Sequence, residues 1–576
     1  MEGFERIKRK ISGIPTSVWV MAAILVVGIF LRAYHFGDWL QFKGDAFRDA
    51  TLVSNIYREG IESLPLLGPR AGGTMLRLGP IFYYFQYVSV SLFHSLDAPV
   101  LAYPDFLFSV LSIPMLFFFA RRYFSRGWAL SLSAMLAVSF LAVEYGRFAW
   151  NPDSTLFFTI LFSYAVLRAT DTDRLADRRR VFWTAVAGLS LAVASQLHFS
   201  AFLGLPIVLV LFLLWRFHDM KRILSWRVML AFSVSVAVVY APVFASELFK
   251  HGENTGQFLA AVSEKASTHG ALESVTLTSI MFAKYFLRIA LGIVEPGRIL
   301  IAIGGLLFAC GLLANIVLLR GEKSVSRRGF LEWTLLLSVV FFLLYIPLAY
   351  KIDRPRFFLP IMVLPYLSFG YIALSVREKM GFPRLSTAIA TLGIGVILLG
   401  NLHSVSGWFS ELRASERTTV GAEEKTAKGR NFWLTWGHYE RVAVLMDASC
   451  PQGDPILFFM GERLTEYDHS FEYALLQTDK GRPVVPLRKY AGTGPNGCYY
   501  RIARTGEDLS AFLAGERSDP PAGIGDITVT RFFPREVTDE VVPERDAGAA
   551  GFVPEKRTRN SRVYFGDVLD FFTHDK

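Results

Sequence analysis

Charge is what this sequence has least of. Only 19% of its 576 residues are Asp, Glu, Lys or Arg, where soluble domains carry about 25%. Cysteine is scarcer, at three residues, and none has the spacing of a metal ligand set, which argues against a zinc site. The cluster GTGPNG is not followed by Lys-Ser or Lys-Thr, so it reads as a turn and not as a phosphate loop. The net charge of +10 does not mark a nucleic-acid binder. Its basic residues stand in short clusters between apolar runs, which is how membrane topology signals look. No stretch interleaves bases with aromatics on a polar surface.

What is abundant is hydrophobic sequence, 52% of the chain. Runs long enough to cross a bilayer lie near 17–34, 100–120, 128–146, 153–169, 181–197, 199–215, 228–246, 298–319, 331–349, 357–375 and 385–401. The expected fold is mainly α: a polytopic bundle of about eleven spans over residues 1–401, followed by an α/β soluble domain over 402–576. MEGFERIKRK before SVWVMAAILVVGIF reads as an uncleaved signal anchor. No membrane-excluded partner such as nucleic acid is expected.

The clusters RRYFSR, RATDTDRLADRRR, RFHDMKR, RGEKSVSRRG and VREKMGFPR should all be cytoplasmic. That holds only if LGPIFYYFQYVSVSLF, residues 78–93, lies flat at the interface or re-enters. The expectation is therefore a multi-pass inner-membrane protein whose tail and site face the periplasmic side. On that side fall the 35–99 loop, Asp153, the His198 turn, the 247–297 loop and YKIDRPRFF.

Candidate chemistry collects there. Asp45 and Asp49 are four apart and share a helix face, with Arg48 in reach of Asp45. Gly44 marks the helix start and Gly60 its end. The functional reading is a carboxylate base at the membrane surface; the structural one is a cap and a solvated ion pair. In YGRFAWNPDSTLFF, Asn151 can cap a helix with Pro152 in its first turn, which would explain Asp153. Arg147 is harder to explain on a side poor in bases. AYKIDRPRFFLP crowds Lys351, Arg354 and Arg356 with one acid, Asp353. Such a group suits a phosphate, anionic lipid, or the opposing carboxylates. His198 is either packing or a phosphate or sugar contact. Tyr83 and Tyr84 are either site residues or an interfacial aromatic belt. The polar stretch 251–270 reads as a long loop, a lid or a binding loop.

In order, FKGDAFRDATLV, GPIFYYF, FARRYFSRGWAL, EYGRFAWNPDSTLFF, QLHFSAFLGLP and RPRFFLPIMVLP resemble the GT-C class of membrane glycosyltransferases. The nearest resemblance is to glycosyltransferase family 39, relatives of protein O-mannosyltransferases and of the lipid A aminoarabinose transferase, over roughly residues 15–401. The resemblance implies an inverting transferase (hexosyl or pentosyl) that moves a sugar from a polyprenyl-monophosphate donor to a hydroxyl of a cell-envelope glycan, lipid or protein. It implies Asp45 as the acidic residue of the first loop that acts at the catalytic centre, Asp153 as the second acidic position, and Lys351, Arg354 and Arg356 as phosphate ligands. Where that family often has Asp-Glu, this chain has Asp45-Ala46; Asp49 substitutes, or the acceptor differs. Asp49, Arg48 and Asp153 would orient sugar or acceptor. No cofactor is called for, and a divalent cation is left open.

In the tail, ERVAVLMD, DPILFFMG, GCYYRIAR and DITVTRFF read as strands, and EYDHSFEYALLQ and EDLSAFLAG as helices. Cys310 reads as packing. Cys450 and Cys498 can pair in an oxidising compartment, which spacing alone leaves open. The competing class is a transporter or flippase for a lipid-linked substrate, which would favour ionisable residues at the bilayer midplane and internal repeats.

Overall fold

The structure is a computed structural model. It describes residues 15–42, 44–71, 74–171, 177–217, 225–265, 270–417, 434–478, 482–487, 492–507, 515–538 and 563–574. The anchor's basic leader, the segment 418–433 and residues 508–514, which are all but the ends of the expected helix EDLSAFLAG (507–515), lie outside those residues.

The membrane bundle runs α1 (Thr16–Ala33), α2 (Asp45–Glu59), α3 (Ile81–Phe93), α4 (Ala98–Ala120), α5 (Arg126–Val138), α6 (Phe140–Tyr145), α7 (Thr155–Ala169), α8 (Asp177–Leu197), α9 (Phe199–Trp215) and α10 (Trp226–Phe249). It continues with α11 (Glu253–Lys265), α12 (Ala271–Leu291), α13 (Arg298–Gly321), α14 (Val325–Tyr345), α15 (Leu364–Glu378) and α16 (Pro383–Arg417). Eight of the described helices are long and apolar enough to span, or nine if the bent pair Pro355–Ile361 and Leu364–Glu378 is one span. The expected spans at 153–169 and 199–215 are shorter helices, α7 and α9. The one expected at 128–146 breaks at Ser139, whose hydroxyl caps α6 by accepting from the Ala142 N–H.

Two loop expectations are corrected. The polar stretch 251–270 contains the helix α11, and the supposed loop of 247–297 contains α12, which is apolar enough to span. α12 nevertheless keeps to one end of the bundle. Along its length it pairs with the end of α14 and the loop after it, the end of α6, and the outer parts of α15 and α16: Glu273 with Tyr350, Thr278 with the Tyr345 carbonyl, Lys284 with Asp353, Arg288 with Glu144, the Ile289 carbonyl with Tyr366 and the Ala290 carbonyl with Asn401. A helix crossing the bilayer would meet both ends of its neighbours.

Arg32, a cation inside the bundle, is paired, as a medium without water requires. Arg32 is fully buried; its Nε donates to Ser109 Oγ at 2.8 Å and its Nη1 to the Ala137 carbonyl at 2.8 Å. α3 has 13 residues, too few to span, in line with a segment lying at one face.

The tail holds α17 (Trp436–Ala448), α18 (Asp468–Thr478), α19 (Phe565–His574) and the strands β1 (Ile456–Met460), β2 (Val484–Leu487), β3 (Thr493–Pro495), β4 (Cys498–Arg504), β5 (Arg517–Ser518), β6 (Ala522–Ile524), β7 (Ile527–Phe533) and β8 (Glu536–Thr538). The sheet order is β2-β1-β4-β7-β5, with β6 also on β7; β1 is parallel to both neighbours and β4 antiparallel to β7. ERVAVLMD is helix, not strand. A capping box between Thr435 and His438 starts α17, and Val442, Ala443 and Met446 bury one helical face. The expected domain boundary after 401 falls inside α16. Cys310 is exposed on the surface of α13. Cys450 and Cys498 are disulfide-bonded, closing a separation of 48 residues.

Replacing both Cys450 and Cys498 by serine should destabilise the tail by about 2–4 kcal/mol. Calorimetry checks this; an unchanged unfolding midpoint would mean the bridge contributes nothing.

Candidate active site

The first loop folds back as α2 because glycines bound it. Gly44 and Gly60 sit at φ of 52° and 98°, a region other residues avoid. Ala46, Ala50 and Val53 recur at helical spacing and are fully buried. They hold α2 against α3 and the tail. On the tail side, Phe47 stacks on His469 at 5.0 Å, Ser54 bonds Tyr473 at 3.2 Å, and the Trp436 N–H donates to the Leu40 carbonyl at 2.8 Å.

That packing turns three charged side chains together. Arg48 donates from Nη1 to Asp45 Oδ1 at 2.7 Å, and from Nε and Nη2 to Asp49 Oδ1 at 2.9 and 2.8 Å. Tyr83 of α3 donates to the same Asp49 oxygen at 3.1 Å. The side chain of Asp49 is 0% exposed, whereas that of Asp45 is 45% exposed. Burial pushes the Asp49 carboxyl above its ordinary range, against the pull of Arg48. Burial draws on Arg48 the other way, yet Asp49, Tyr83 and Asp45 together hold its guanidinium above the usual value. Asp49 is thus a buried anchor, and Asp45 the carboxylate that faces out.

The other oxygen of Asp45 accepts from Trp150 Nε1 at 3.1 Å. Arg356 lies over the face of the same indole, 4.9 Å from its centre. Trp150 is held in turn. Its backbone N–H donates to Asp105 Oδ2 at 3.2 Å, and its carbonyl accepts from the Asp153 N–H at 3.0 Å. Asp105 also accepts from Ser154 Oγ. Asn151 does not cap α7; it donates to the Leu197 carbonyl at 2.6 Å, and Ser154 precedes the helix. Asp153 is buried in this turn, and neither carboxyl oxygen has a hydrogen-bond partner. Burial, then Asp105 and Glu144, push its carboxyl well above the ordinary range.

The remaining candidates separate. Lys351 and Arg354 are exposed on the loop before Arg356. Asp353 does not neutralise that loop, because it pairs with Lys284 at 2.8 Å. His198 caps α9 by accepting from the Ser200 N–H, and its ring meets Phe357 at 5.2 Å, one residue from Arg356. Tyr84 leaves the group and donates to the Pro65 carbonyl at 3.0 Å. Arg147 is turned to α1, where it donates to the Tyr34 and His35 carbonyls at 2.6 and 3.0 Å and packs over Trp408 and Phe409. It closes the C-terminal end of a helix, a favoured place for a cation. Sequence reasoning missed Trp150, hidden in an aromatic-rich chain, and Asp105. An ionisable residue inside the apolar run of α4 was the available signal for Asp105. Among the described residues, no group of three His, Cys, Asp or Glu side chains is placed to hold a metal ion.

The family model described as dolichyl-phosphate-mannose-protein mannosyltransferase matches residues 78–245. Among proteins of curated function, none matches the sequence. ArnT from Cupriavidus metallidurans in the apo state is similar in structure, with a TM-score of 0.52 and 14% identity over 89% of this chain and 97% of that one. ArnT bound to undecaprenyl phosphate gives 0.55 at 14% identity over the same shares, 89% and 97%. The archaeal oligosaccharyltransferase AglB from Archaeoglobus fulgidus, in complex with an inhibitory peptide and a dolichol-phosphate, gives 0.46 at 12% identity over 85% and 69%. At the ArnT identities the likeness speaks for the fold.

The Asp153 shift has a sign. Its proton is held more tightly in the folded chain, so the stability tied to it is complete below the unfolded value of 3.8 and is lost as pH rises through the raised one. D153N cannot ionise. Its melting temperature should therefore gain on wild type between about pH 5 and about pH 9. A constant difference across that range would contradict the buried, protonated carboxyl.

Proposed function

We propose that this chain, whose fold is that of the GT-C class of membrane glycosyltransferases, transfers a sugar from a polyprenyl-monophosphate donor to a hydroxyl acceptor with inversion. The observation that carries the reading is the indole of Trp150, with the carboxylate of Asp45 on its edge and the guanidinium of Arg356 on its face. A base and a phosphate-binding cation thereby meet the same ring at one end of the bundle.

Asp45 accepts the acceptor's hydroxyl proton as that oxygen attacks the anomeric carbon. The bond from that carbon to the phosphate oxygen breaks on the opposite face. The departing polyprenyl phosphate keeps the electron pair, and its charge is met by Arg356, with Arg354 and Lys351 from the same loop. Guanidinium and ammonium groups suit that task. Asp49 and Arg48 fix the angle of Asp45, Tyr83 supports Asp49, and Asp153 lines the turn that carries Trp150. ArnT bound to undecaprenyl phosphate supports a lipid phosphate of that class as carrier. The Lys and Arg clusters at the other end support an extracytoplasmic site and acceptor. The ionisable residues of the candidate site gather at one end of the bundle and not at midplane, which favours transfer over transport.

The test is sugar transfer from a panel of radiolabelled polyprenyl-phosphate sugars in membranes. D45N should lose about 10²–10⁴ in rate, the usual worth of a positioned base, with its melting curve unchanged. Transfer at the wild-type rate by folded D45N would remove Asp45 as the base. W150F keeps the ring under Arg356 and loses the donor to Asp45. It should lower kcat about tenfold, roughly one neutral hydrogen bond, and leave the donor KM near wild type. A raised KM with unchanged kcat would instead make the indole a binding surface only.

A further inference from the structure

The other end of the bundle holds a feature that sugar transfer does not use. Between α7, α8, α9 and α10 lies a cavity of about 390 Å³. Val166, Ala187, Leu209, Leu213 and Phe232 form its walls, and Arg180 and Thr184 stand in the first turns of α8. Eighteen positions separate Arg180 from His198, about 27 Å of helix, so the cavity and the carboxylate site belong to opposite leaflets.

Its chemistry is lopsided. The hydroxyls of Thr170 and Thr184 donate back to the Val166 and Arg180 carbonyls of their own helices. Arg180 is 8% exposed, and its Nε is buried without a hydrogen-bond partner. Its Nη1 reaches Asp177 at 3.4 Å, but that carboxylate is 82% exposed and turned to solvent. Arg178 and Arg179 precede it and are exposed. An arginine in an apolar pocket calls for a counter-charge. The occupant must also fill hydrocarbon-lined space. α10, one wall, has only 6% of its apolar window buried, so the cavity opens toward lipid and not toward water. On the far face of the α8–α10 pair, a second apolar groove of about 400 Å³ carries its own arginine, Arg227.

We propose that the cavity between α7, α8, α9 and α10 binds an anionic glycerophospholipid of the surrounding bilayer, one acyl chain among its apolar walls and the headgroup phosphate on Arg180. Basic pockets between membrane helices recognise anionic headgroups in this way. The apolar walls take up the chain, and the guanidinium selects charge.

The full-length protein is reconstituted in nanodiscs of phosphatidylcholine and phosphatidylglycerol, and the lipids it retains are counted by native mass spectrometry. Wild type should retain phosphatidylglycerol over phosphatidylcholine by about fivefold, the worth of one arginine near an anionic headgroup. R180Q should lose that preference and R180K should keep most of it. A187F fills the cavity and should lose the retained lipid of either kind. Melting curves report whether each variant is folded, and either R180Q or A187F suffices if the other is not. Equal retention of the two lipids by wild type overturns the proposal, as does unchanged phosphatidylglycerol retention in the folded variants. Undecaprenyl phosphate displacing phosphatidylglycerol at equal mole fraction also overturns it and assigns the cavity to the polyprenyl carrier.

Discussion

Arg48 is divided between two carboxylates, and the arrangement of the site follows from how it is divided. Asp49 has no access to solvent, so its charge is costly unless a cation stays with it. Two guanidinium nitrogens and the Tyr83 hydroxyl meet one of its oxygens. Only Nη1 is left for Asp45, one turn earlier. Asp45 is consequently fixed by one oxygen and offers the other to Trp150 and to whatever approaches the bundle. Exchanging the two positions would bury the outward carboxylate and expose the anchor. The spacing i, i+3, i+4 on one helix is what allows a single guanidinium to serve both.

Trp150 extends that constraint across the bundle. Its ring meets Asp45 and Arg356, and its backbone is tied to Asp105 of α4 and to the turn of Asp153. Three sequence-distant segments are thereby held in register without a direct Asp45–Arg356 ion pair. Such a pair would satisfy both charges and leave neither for a substrate. An indole between them holds a carboxylate by its N–H and a cation by its π face, and keeps the two charges apart.

The sequence shows some of this and conceals the rest for identifiable reasons. Gly44 and Gly60 bound α2 where expected, since only a few residues tolerate their backbone angles. The basic loop around Arg356 stood out because it breaks the charge rule. α12 was hidden because Glu273, Lys284 and Arg288 interrupt its apolar run, and those residues pair with groups that only the folded bundle brings near. ERVAVLMD alternates like a strand, but its burial follows a helix and a capping box starts it. Arg147 was hard to explain from sequence because its partners are backbone carbonyls at the end of α1, which carry no signature there.

The division into a membrane part and a soluble tail describes the sequence better than it describes the site. α2 is covered on one side by α3 and on another by α18, where Phe47 stacks on His469 and Ser470 donates to the Phe42 carbonyl. Tyr473 reaches past α2 to the Leu96 carbonyl at 2.6 Å. The tail therefore builds one wall of the place where Asp45 stands, and it is tied to the bundle through buried hydrogen bonds that would be left unpaired if it moved away. With that wall closed and Asp49 sealed beneath, approach to Asp45 is restricted to the side where its carboxylate is exposed. That side is also bounded by Trp150, beneath Arg356. The packing of the tail closes one approach to Asp45, and the loop that carries Arg356 bounds the side left open.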